Sequence, residues 1–223
     1  MAIRLTSGRV YDPLAGIDGE IGDLWIDQGR IVPPPPPGTP AEVHDVSGCA
    51  VMPGGIDMHS HIGGGKVTIA RLLMAEDHRA HRQACRHGCR AGSGEAAPSS
   101  FATGYRYARL GYTAAFEPAM LPTNARAAHH EMADIPLLDK GAYVLLGNDD
   151  LFLRLLAEGS GQRAIADYVA WTMRATGALA VKIVNPGGIA AFKYGQRRLD
   201  LDEPAAPYGI TPRSVLTSLA DAL

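Results

Sequence analysis

The sequence predicts an α/β protein in which a small all-β module precedes about four strand-helix units, the first part of a (β/α)8 barrel. Two patterns indicate this. Up to about residue 50, short apolar runs alternate with turn residues; beyond it, apolar runs alternate with longer stretches of helical spacing. The 223 residues, 46% of them hydrophobic, can bury a sizeable core. We therefore expect two domains, residues 1–50 and 51–223.

The predicted N-terminal module consists of short strands joined by turns. Turn residues at 12–13, 18–19 and 27–29 separate the apolar runs. The predicted strands are residues 3–5, 9–11, 23–26 and 30–32. Five consecutive prolines at 33–37 cannot donate the hydrogen bonds of a sheet, so we expect a stiff surface loop there.

Repeated strand-helix units are predicted from Ala50 onward. The strands of these units are residues 51–56, 113–117, 143–146 and 179–184. The predicted helices are residues 102–110, residues 124–138, a helix around 165–173 that Gly177 ends, and a last helix from about Thr211. An open doubly wound sheet is the alternative, but we find no glycine-rich phosphate loop that would suit it.

The composition excludes several classes of protein. With 21 Lys and Arg against 23 Asp and Glu, the net charge of −2 provides no general attraction to nucleic acid or to an anionic membrane. The three cysteines are too few for a disulfide framework and favour a reducing, cytoplasmic location. No apolar run approaches the roughly 20 residues that a membrane helix requires. We therefore expect small molecules or other proteins as partners.

A pair of histidines follows the first predicted barrel strand, in the segment Met-Pro-Gly-Gly-Ile-Asp-Met-His-Ser-His at 52–61. In extended backbone, residues two apart point the same way, so His59 and His61 can present both imidazoles to one metal ion. Barrel enzymes keep their active sites at the carboxyl ends of the strands, which favours a metal site. The same spacing also occurs in histidines that bind nothing. Glycines at 63–65 would let a ligand approach the backbone.

Lys182 is the second candidate, because it stands inside an apolar run at 180–184. Burying an ammonium group there would be costly. A buried partner, loss of the proton, or reaction with carbon dioxide to a carbamate would each relieve that cost, and the carbamate would make this lysine an anionic oxygen ligand. The alternative is a lysine whose head group reaches solvent at the end of the strand.

These motifs resemble the amidohydrolase superfamily, in the group with a carboxylated lysine in a dinuclear metal centre. More narrowly, four segments resemble the A subunits of formylmethanofuran dehydrogenases, whose bacterial counterparts are the hydrolytic subunits of formyltransferase/hydrolase complexes. The segments are residues 55–64, 111–120, 146–149 and 181–188. Phe-Glu-Pro-Ala-Met at 116–120 and Asn-Pro-Gly-Gly at 185–188 distinguish the chain from hydantoinases and dihydroorotases.

The resemblance implies a β-sandwich, of which the N-terminal module is a part, beside a (β/α)8 barrel that holds two zinc ions. His59 and His61 would bind one zinc ion, and carboxylated Lys182 would bridge both as a catalytic residue. The implied reaction interconverts N-formylmethanofuran with formate and methanofuran. A methanofuran-type cofactor is then the substrate, and the other subunits of the complex are partners. A cyclic-amide hydrolase and an inactive scaffold fragment of the complex are the alternatives.

The chain departs from this family in its C-terminal part. The family continues through further barrel strands that supply two more histidine ligands and an aspartate that acts as ligand and proton shuttle. Nothing after Asn185 matches them, and no histidine follows His130. We therefore expect an N-terminal portion of such a subunit, with an open barrel edge after its fourth strand.

Four further residues are candidates for substrate binding. Arg82 and Arg86 lie in an arginine-rich stretch that could hold the glutamyl carboxylates of a methanofuran-type substrate. Asn148 and Asn185 follow predicted strands, where side chains line the site of a barrel. For Asn148, as for Glu117, an anchoring role in a loop or a helix cap is equally open.

A second cluster has residue types that bind metals, at helical spacing. It consists of His78, His81, Cys85 and Cys89. Because arginines are frequent around it, we interpret this stretch as a solvated or partner-facing region rather than a zinc site. We also expect the histidines at 129 and 130 to lie on the surface of a helix.

Overall fold

Two separate sheets organise the chain, one in the unit Met1–Gly54 and one in the unit Gly55–Leu223. Both are seen in a computed structural model, which describes residues 1–65, 67, 69, 73 and 100–223. The predicted His/Cys cluster at 78–89, together with Arg82 and Arg86, lies outside the described residues.

The first unit is a five-stranded sheet. Its strands are β1 (Ala2–Asp12), β2 (Ile17–Asp27), β3 (Arg30–Val32), β4 (Ala41–Asp45) and β5 (Ala50–Val51). The spatial order is β3-β2-β1-β4, and β5 also pairs with β1. The β1 and β2 strands are antiparallel, with Ile3 opposite Ile26, whereas β4 and β5 run parallel to β1.

The β1 strand is continuous over 11 residues, so the prediction of two strands at 3–5 and 9–11 is wrong. Its pairing is irregular between Leu5 and Gly8. Ser7 there has a φ of 61°, and its backbone N–H donates to Asp23 at 3.1 Å. Such a bulge shifts the alternation of side chains by one residue and makes one strand look like two in the sequence. The prolines at 33–37 lie outside the strands, as predicted.

The second unit contains four parallel strands whose spatial order follows the chain. They are β6 (Gly55–Asp57), β7 (Tyr112–Met120), β8 (Asp139–Leu145) and β9 (Ala180–Lys182). In the register of the sheet, Phe116 aligns with Gly141 and Leu145 aligns with Lys182. The α/β class and the parallel half-barrel sheet of the prediction are thereby confirmed, and the carboxyl ends of the four strands share one edge.

Of the helices whose bounds the structure describes, six connect or follow these strands. They are α1 (Phe101–Arg109), α2 (Ala125–Ala133), α3 (Asp150–Ala157), α4 (Gln162–Thr176), α5 (Gly188–Lys193) and α6 (Pro212–Ala222), with a 3-10 turn at Pro122–Asn124. Two helix signals of the sequence are confirmed. Gly177 ends α4 with a φ of 61°, and the Thr211 hydroxyl caps α6 by accepting from the N–H of Ser214 at 3.2 Å.

Several predicted boundaries are wrong: β8 begins at Asp139 rather than at residue 143, β9 ends at Lys182 rather than at residue 184, and two further elements differ for reasons that a proline explains. The strand predicted at 51–56 is divided, because Val51 ends β5 in the first sheet and Gly55 begins β6 in the second. Pro53 stands between them and has no N–H to donate to a sheet. The helix predicted to reach residue 138 ends at Ala133. Pro136 disfavours helical backbone in the residue before it, which explains the early end.

The core of the second unit lies between the strands and their helices. Its buried members include Ala115, Met120, Val144, Leu146, Phe152, Leu153, Ile165, Val169, Val215 and Leu219. This core supports β7 and β8, whose carboxyl ends adjoin those of β6 and β9. Among the described residues, no helix is long and apolar enough to span a membrane.

Candidate functional site

The carboxyl ends of β6 and β9 bring His59 and Lys182 together. His59 lies two residues after β6, and Lys182 is the last residue of β9. The Lys182 Nζ lies 3.2 Å from the His59 Nδ1, although 123 positions separate them in sequence. The imidazoles of His59 and His61 are nearly perpendicular, at 85°, with their centroids 5.7 Å apart. The structure therefore places the three predicted metal ligands at one edge of the sheet.

Glu117, in β7, accepts four hydrogen bonds, three of them from residues 61–63. Its side chain is buried, and the residue is 1% exposed. One carboxylate oxygen, Oε1, lies 3.0 Å from the Nδ1 of His61 and accepts from the Ala119 N–H at 2.9 Å. The other, Oε2, accepts from the backbone N–H groups of Ile62 at 2.9 Å and Gly63 at 3.3 Å. Four donors therefore compensate the burial of this carboxylate.

The contact with Glu117 determines which nitrogen of His61 is available to a ligand. A carboxylate can only accept hydrogen bonds, so we infer that His61 carries its proton on Nδ1. Its Nε2 then keeps the lone pair. The side chain of His61 is 51% exposed, so a carboxylate orients this imidazole while about half of its surface is accessible to solvent. A histidine that binds a metal ion is commonly oriented in this way by a carboxylate.

The sequence contained one signal for Glu117, namely an ionisable residue inside the apolar run at 113–120. It left open whether the carboxylate lines the site or anchors a loop. The structure shows an anchoring role, since all four hydrogen-bond donors belong to the histidine segment or to the end of β7.

Tyr107 of α1 is a polar contact of the same segment that the sequence pattern did not reveal. Its hydroxyl donates to the Oδ2 of Asp57 at 3.2 Å and forms a hydrogen bond with the Ser60 hydroxyl. Burial raises the pKa of Tyr107 above its usual value of 10.0, and the nearby charge of Asp57 raises it further, in spite of an opposing hydrogen bond from Ser60. The phenol therefore keeps its proton at neutral pH.

The glycines after the histidine pair are pressed against α2, which corrects the expectation that they leave room for a ligand. Gly63 and Gly64 are both buried. A Cβ on Gly63 would lie 3.0 Å from the Met132 side chain. Gly64 has a φ of 92°, and its N–H donates to Glu131 at 2.7 Å. Their lack of side chains serves close packing of backbone on a helix.

The donor set at this edge fits part of a zinc site. Imidazole nitrogen is a common zinc ligand, whereas a protonated lysine is not. Within the described part of the chain, no group of three or more His, Cys, Asp or Glu side chains could hold a metal ion. Lys182 lies beside His59, and only as a carbamate would it offer oxygen atoms to a metal ion. A tetrahedral site requires at least one ligand more than these three residues supply.

Asn148 anchors the loop that follows β9. Its Nδ2 donates to the backbone oxygens of Val184 at 2.8 Å and Asn185 at 3.1 Å, and its Oδ1 accepts from the N–H of Ile189 at 3.0 Å. Of the two roles that the sequence left open, the structure shows loop anchoring. Asn185 is exposed in this loop, with a φ of 39°.

The expectation of two surface histidines on α2 is half wrong. His130 is exposed, but His129 is partly buried. Its Nε2 lies 2.7 Å from the backbone oxygen of Thr176, at the end of α4. This contact ties two helices together and is remote in sequence from the histidine pair at 59 and 61.

Fold and site together define the class of the protein. A parallel strand-helix sheet with polar side chains converging at its carboxyl edge is typical of α/β enzymes. Residues 42–222 match the amidohydrolase family. The chain therefore belongs to the amidohydrolase family.

Two relatives are similar over nearly the whole chain. The A subunit of the formyltransferase/hydrolase complex Fhc of Methylorubrum extorquens is 44% identical over 223 residues, which are 100% of this chain and 40% of that protein. Protein FwdA of Methanocaldococcus jannaschii is 43% identical over 217 residues, which are 97% of this chain and 38% of that protein. The chain thus spans about two fifths of the length of these relatives.

A solved structure agrees with this similarity. It is the crystal structure of the formyltransferase/hydrolase complex FhcABCD from Methylorubrum extorquens in complex with methylofuran. The match has a TM-score of 0.85 at 44% identity and covers 100% of this chain and 40% of that chain. The fold described above is therefore also the fold of part of an experimentally determined subunit.

Proposed function

We propose that this chain is the N-terminal portion of the hydrolytic subunit of a formyltransferase/hydrolase or formylmethanofuran dehydrogenase complex. The complete subunit would hydrolyse the N-formyl amide of a formylmethanofuran-type substrate, or form it in reverse. One observation carries the proposal: Lys182 meets His59 at the strand ends, in a chain that is 44% identical over its whole length to the A subunit of the Fhc complex.

We assign His59, His61 and carboxylated Lys182 to a centre of two zinc ions. Zinc bound there would supply the Lewis acidity for attack of water on the formyl carbon. The hydrogen bond from His61 to Glu117 supports this assignment, because it occupies Nδ1 and leaves Nε2 as the nitrogen that could bind a metal ion. The 3.2 Å contact between Lys182 and His59 supports a shared site for the lysine and the imidazoles.

The overall reaction is hydrolysis of a formamide. Water adds its oxygen to the formyl carbon, the bond between that carbon and the amide nitrogen breaks, and formate and a free amine result. The described residues of this chain hold the imidazoles and the lysine in position.

We further propose that strands outside this chain complete a barrel and a β-sandwich. Within the described residues, β9 pairs with β8 alone, so one side of β9 is available for a fifth barrel strand. The first unit has an apolar cavity of about 760 Å³ that additional strands would fill. Apolar residues that line the cavity include Leu5, Val10, Ile17, Leu24, Trp25, Ile26, Ile31, Val32 and Val51.

The partners of the complete protein would be the other subunits of such a complex, and its ligand a methanofuran-type cofactor. The names of the relative and of the solved complex support both parts of this proposal. A cytoplasmic location is consistent with the free, exposed thiol of Cys49.

Metal content and formate release from the full-length protein, prepared with its partner subunits, test the proposal. We expect about two zinc ions per catalytic chain by elemental analysis and formate release from a formylated methanofuran-type substrate. Both should be lost in His59→Ala and Lys182→Ala. Lys193→Ala, at the exposed end of α5, is the matched control and should retain both.

Other outcomes would contradict the proposal in distinguishable ways. A metal-loaded protein that opens dihydropyrimidine rings and leaves the formamide intact would indicate a cyclic-amide hydrolase. A protein that binds its partner subunits but contains no metal would indicate a scaffold. Metal that remains in the His59→Ala and Lys182→Ala variants would refute the assignment of the site.

A further inference from the structure

The side chain of Tyr107 joins two points of the histidine segment that are three residues apart. Its hydroxyl contacts both the carboxylate of Asp57, in the last position of β6, and the hydroxyl of Ser60, which stands between the two histidines. Asp57 in turn accepts from the backbone N–H of His59 at 3.0 Å through its other oxygen. The Tyr107 hydroxyl thus links the residues on both sides of His59, Asp57 and Ser60.

The direction of these hydrogen bonds follows from which of the groups carry a proton to donate. A phenol has one proton, and Asp57 can only accept, so Tyr107 gives its proton to Asp57. The Ser60 hydroxyl must then donate to the Tyr107 oxygen. Ser60 is buried, at 8% exposure, and its backbone N–H donates to the Phe116 oxygen at 2.9 Å. The chain of hydrogen bonds runs from Ser60 through Tyr107 to Asp57, and each bond polarises the next.

The two histidines are held from two sides. Glu117, which follows Phe116 in β7, holds His61 and the two residues after it. The network of Tyr107, Ser60 and Asp57 holds His59 and the residue between the histidines. Tyr107 belongs to α1, so this network also connects the end of β6 to the helix that precedes β7.

We propose that Tyr107 is a positioning residue for His59 and His61, which it orients through Ser60 and Asp57. The proposal rests on the proposed function, since the purpose of the orientation is to present both imidazoles to a metal ion. Removing the phenol oxygen would leave the Ser60 hydroxyl without its acceptor and would free the Asp57 carboxylate to rotate. The hydrogen bond from the His59 N–H to Asp57 would then be weakened.

Zinc affinity of the full-length protein, measured by competition with a chromophoric chelator, tests this role. We expect Tyr107→Phe to bind zinc about tenfold more weakly than wild type. Tyr105→Phe is the matched control, because Tyr105 is an exposed tyrosine on the same helix, and its affinity should not change. Wild-type affinity in Tyr107→Phe would overturn the proposal.

A double variant separates positioning from simple stabilisation. Ser60→Ala added to Tyr107→Phe removes the orphaned hydroxyl and should restore part of the melting temperature of the metal-free protein. Zinc affinity should remain low if Tyr107 positions the histidines. Recovery of zinc affinity together with the melting temperature would refute positioning and leave only a structural role for the tyrosine.

The two proposals fail in different ways. Wild-type protein that binds no zinc at the histidines would refute the proposed function. In that case the ring ¹⁵N resonances of the histidines in metal-free protein still test whether Tyr107 positions them. Shifts of His59 and His61 in Tyr107→Phe, absent in Tyr105→Phe, would support positioning, and unchanged resonances would overturn it.

Discussion

Replacement of Glu117 by Gln tests whether one buried carboxylate both stabilises the second unit and orients His61. A glutamine is nearly the same size but has one acceptor oxygen in place of two. Two of the four present donors would therefore face an NH2 group. If that group replaces Oε2, the N–H groups of Ile62 and Gly63 lose their acceptor; if it replaces Oε1, His61 and Ala119 lose theirs.

The cost follows from the burial of the group. A buried donor without an acceptor costs about 1–3 kcal/mol, and two such donors cost about 2–6 kcal/mol. For a domain of this size, a loss of about 1 kcal/mol lowers the melting temperature by roughly 2–4 °C, so we expect a fall on the order of 10 °C. Zinc affinity should fall by about 10-fold or more, because a histidine ligand loses its carboxylate partner.

Thermal unfolding of the metal-free full-length protein and zinc competition measure the two effects separately. Glu158→Gln, at the exposed end of α3, removes a charge without a buried hydrogen bond and should leave both quantities unchanged. A Glu117→Gln protein with the melting temperature of the wild type would refute the argument, since it would show that the four hydrogen bonds contribute no net stability.

Three further perturbations have definite expected outcomes. Gly104→Ala should destabilise by about 1–3 kcal/mol or more, because a Cβ would overlap the carbonyl oxygen of Pro136. Asn148→Ala should cost about 1–2 kcal/mol, because two backbone oxygens of the loop after β9 and the Ile189 N–H of α5 lose a partner. Burial, and then the hydrogen bond to Asp149, raise the pKa of the Tyr168 phenol in the folded protein. As the pH rises, the unfolded chain therefore loses this proton before the folded protein does. The free energy of unfolding should thus fall above about pH 10, and it should fall less in Tyr168→Phe.

Urea unfolding measures the free energy of unfolding for all three predictions, and each prediction has a result that would contradict it. Gly22→Ala, where a Cβ would meet nothing within 4 Å, should be almost neutral, and equal stability of Gly104→Ala would refute the close contact. An unchanged Asn148→Ala protein would show that the loop holds its shape without the amide. An equal loss of stability above pH 10 in wild type and Tyr168→Phe would exclude this phenol as the cause.

Local chemistry accounts for much of the fold that the sequence predicted. The strands β7 and β8 and the helix α4 have strong periodic patterns, and Gly177 and Thr211 are residues with a defined role at helix ends. The first and last residues of a strand or helix were less predictable where they depend on pairing with another element. The apolar run at 51–56 satisfied a strand pattern, yet its two ends belong to different sheets, since only pairing with β1 or β7 distinguishes them.

The site was predictable in its residue types and not in its supports. His59, His61 and Lys182 stand at strand ends that the sequence pattern predicts, so parallel strands place them at the same edge of the sheet. The hydrogen bonds of Glu117 reach 55 and 56 positions along the chain, and those of Tyr107 reach 47 and 50. The hydrophobic periodicity of the sequence does not predict contacts at such separations, because they depend on how α1 and β7 pack against the end of β6.

The sequence by itself determined the α/β class, the alternation of strands and helices along the chain and the identity of the polar residues at the strand ends, because these depend on local propensity and on alternation over a few residues. Only the tertiary structure decided that Lys182 lies 3.2 Å from His59, that Glu117 orients His61, and that Asn148 serves a loop. These are directional contacts between distant segments, and their geometry exists only once the core has brought the segments together.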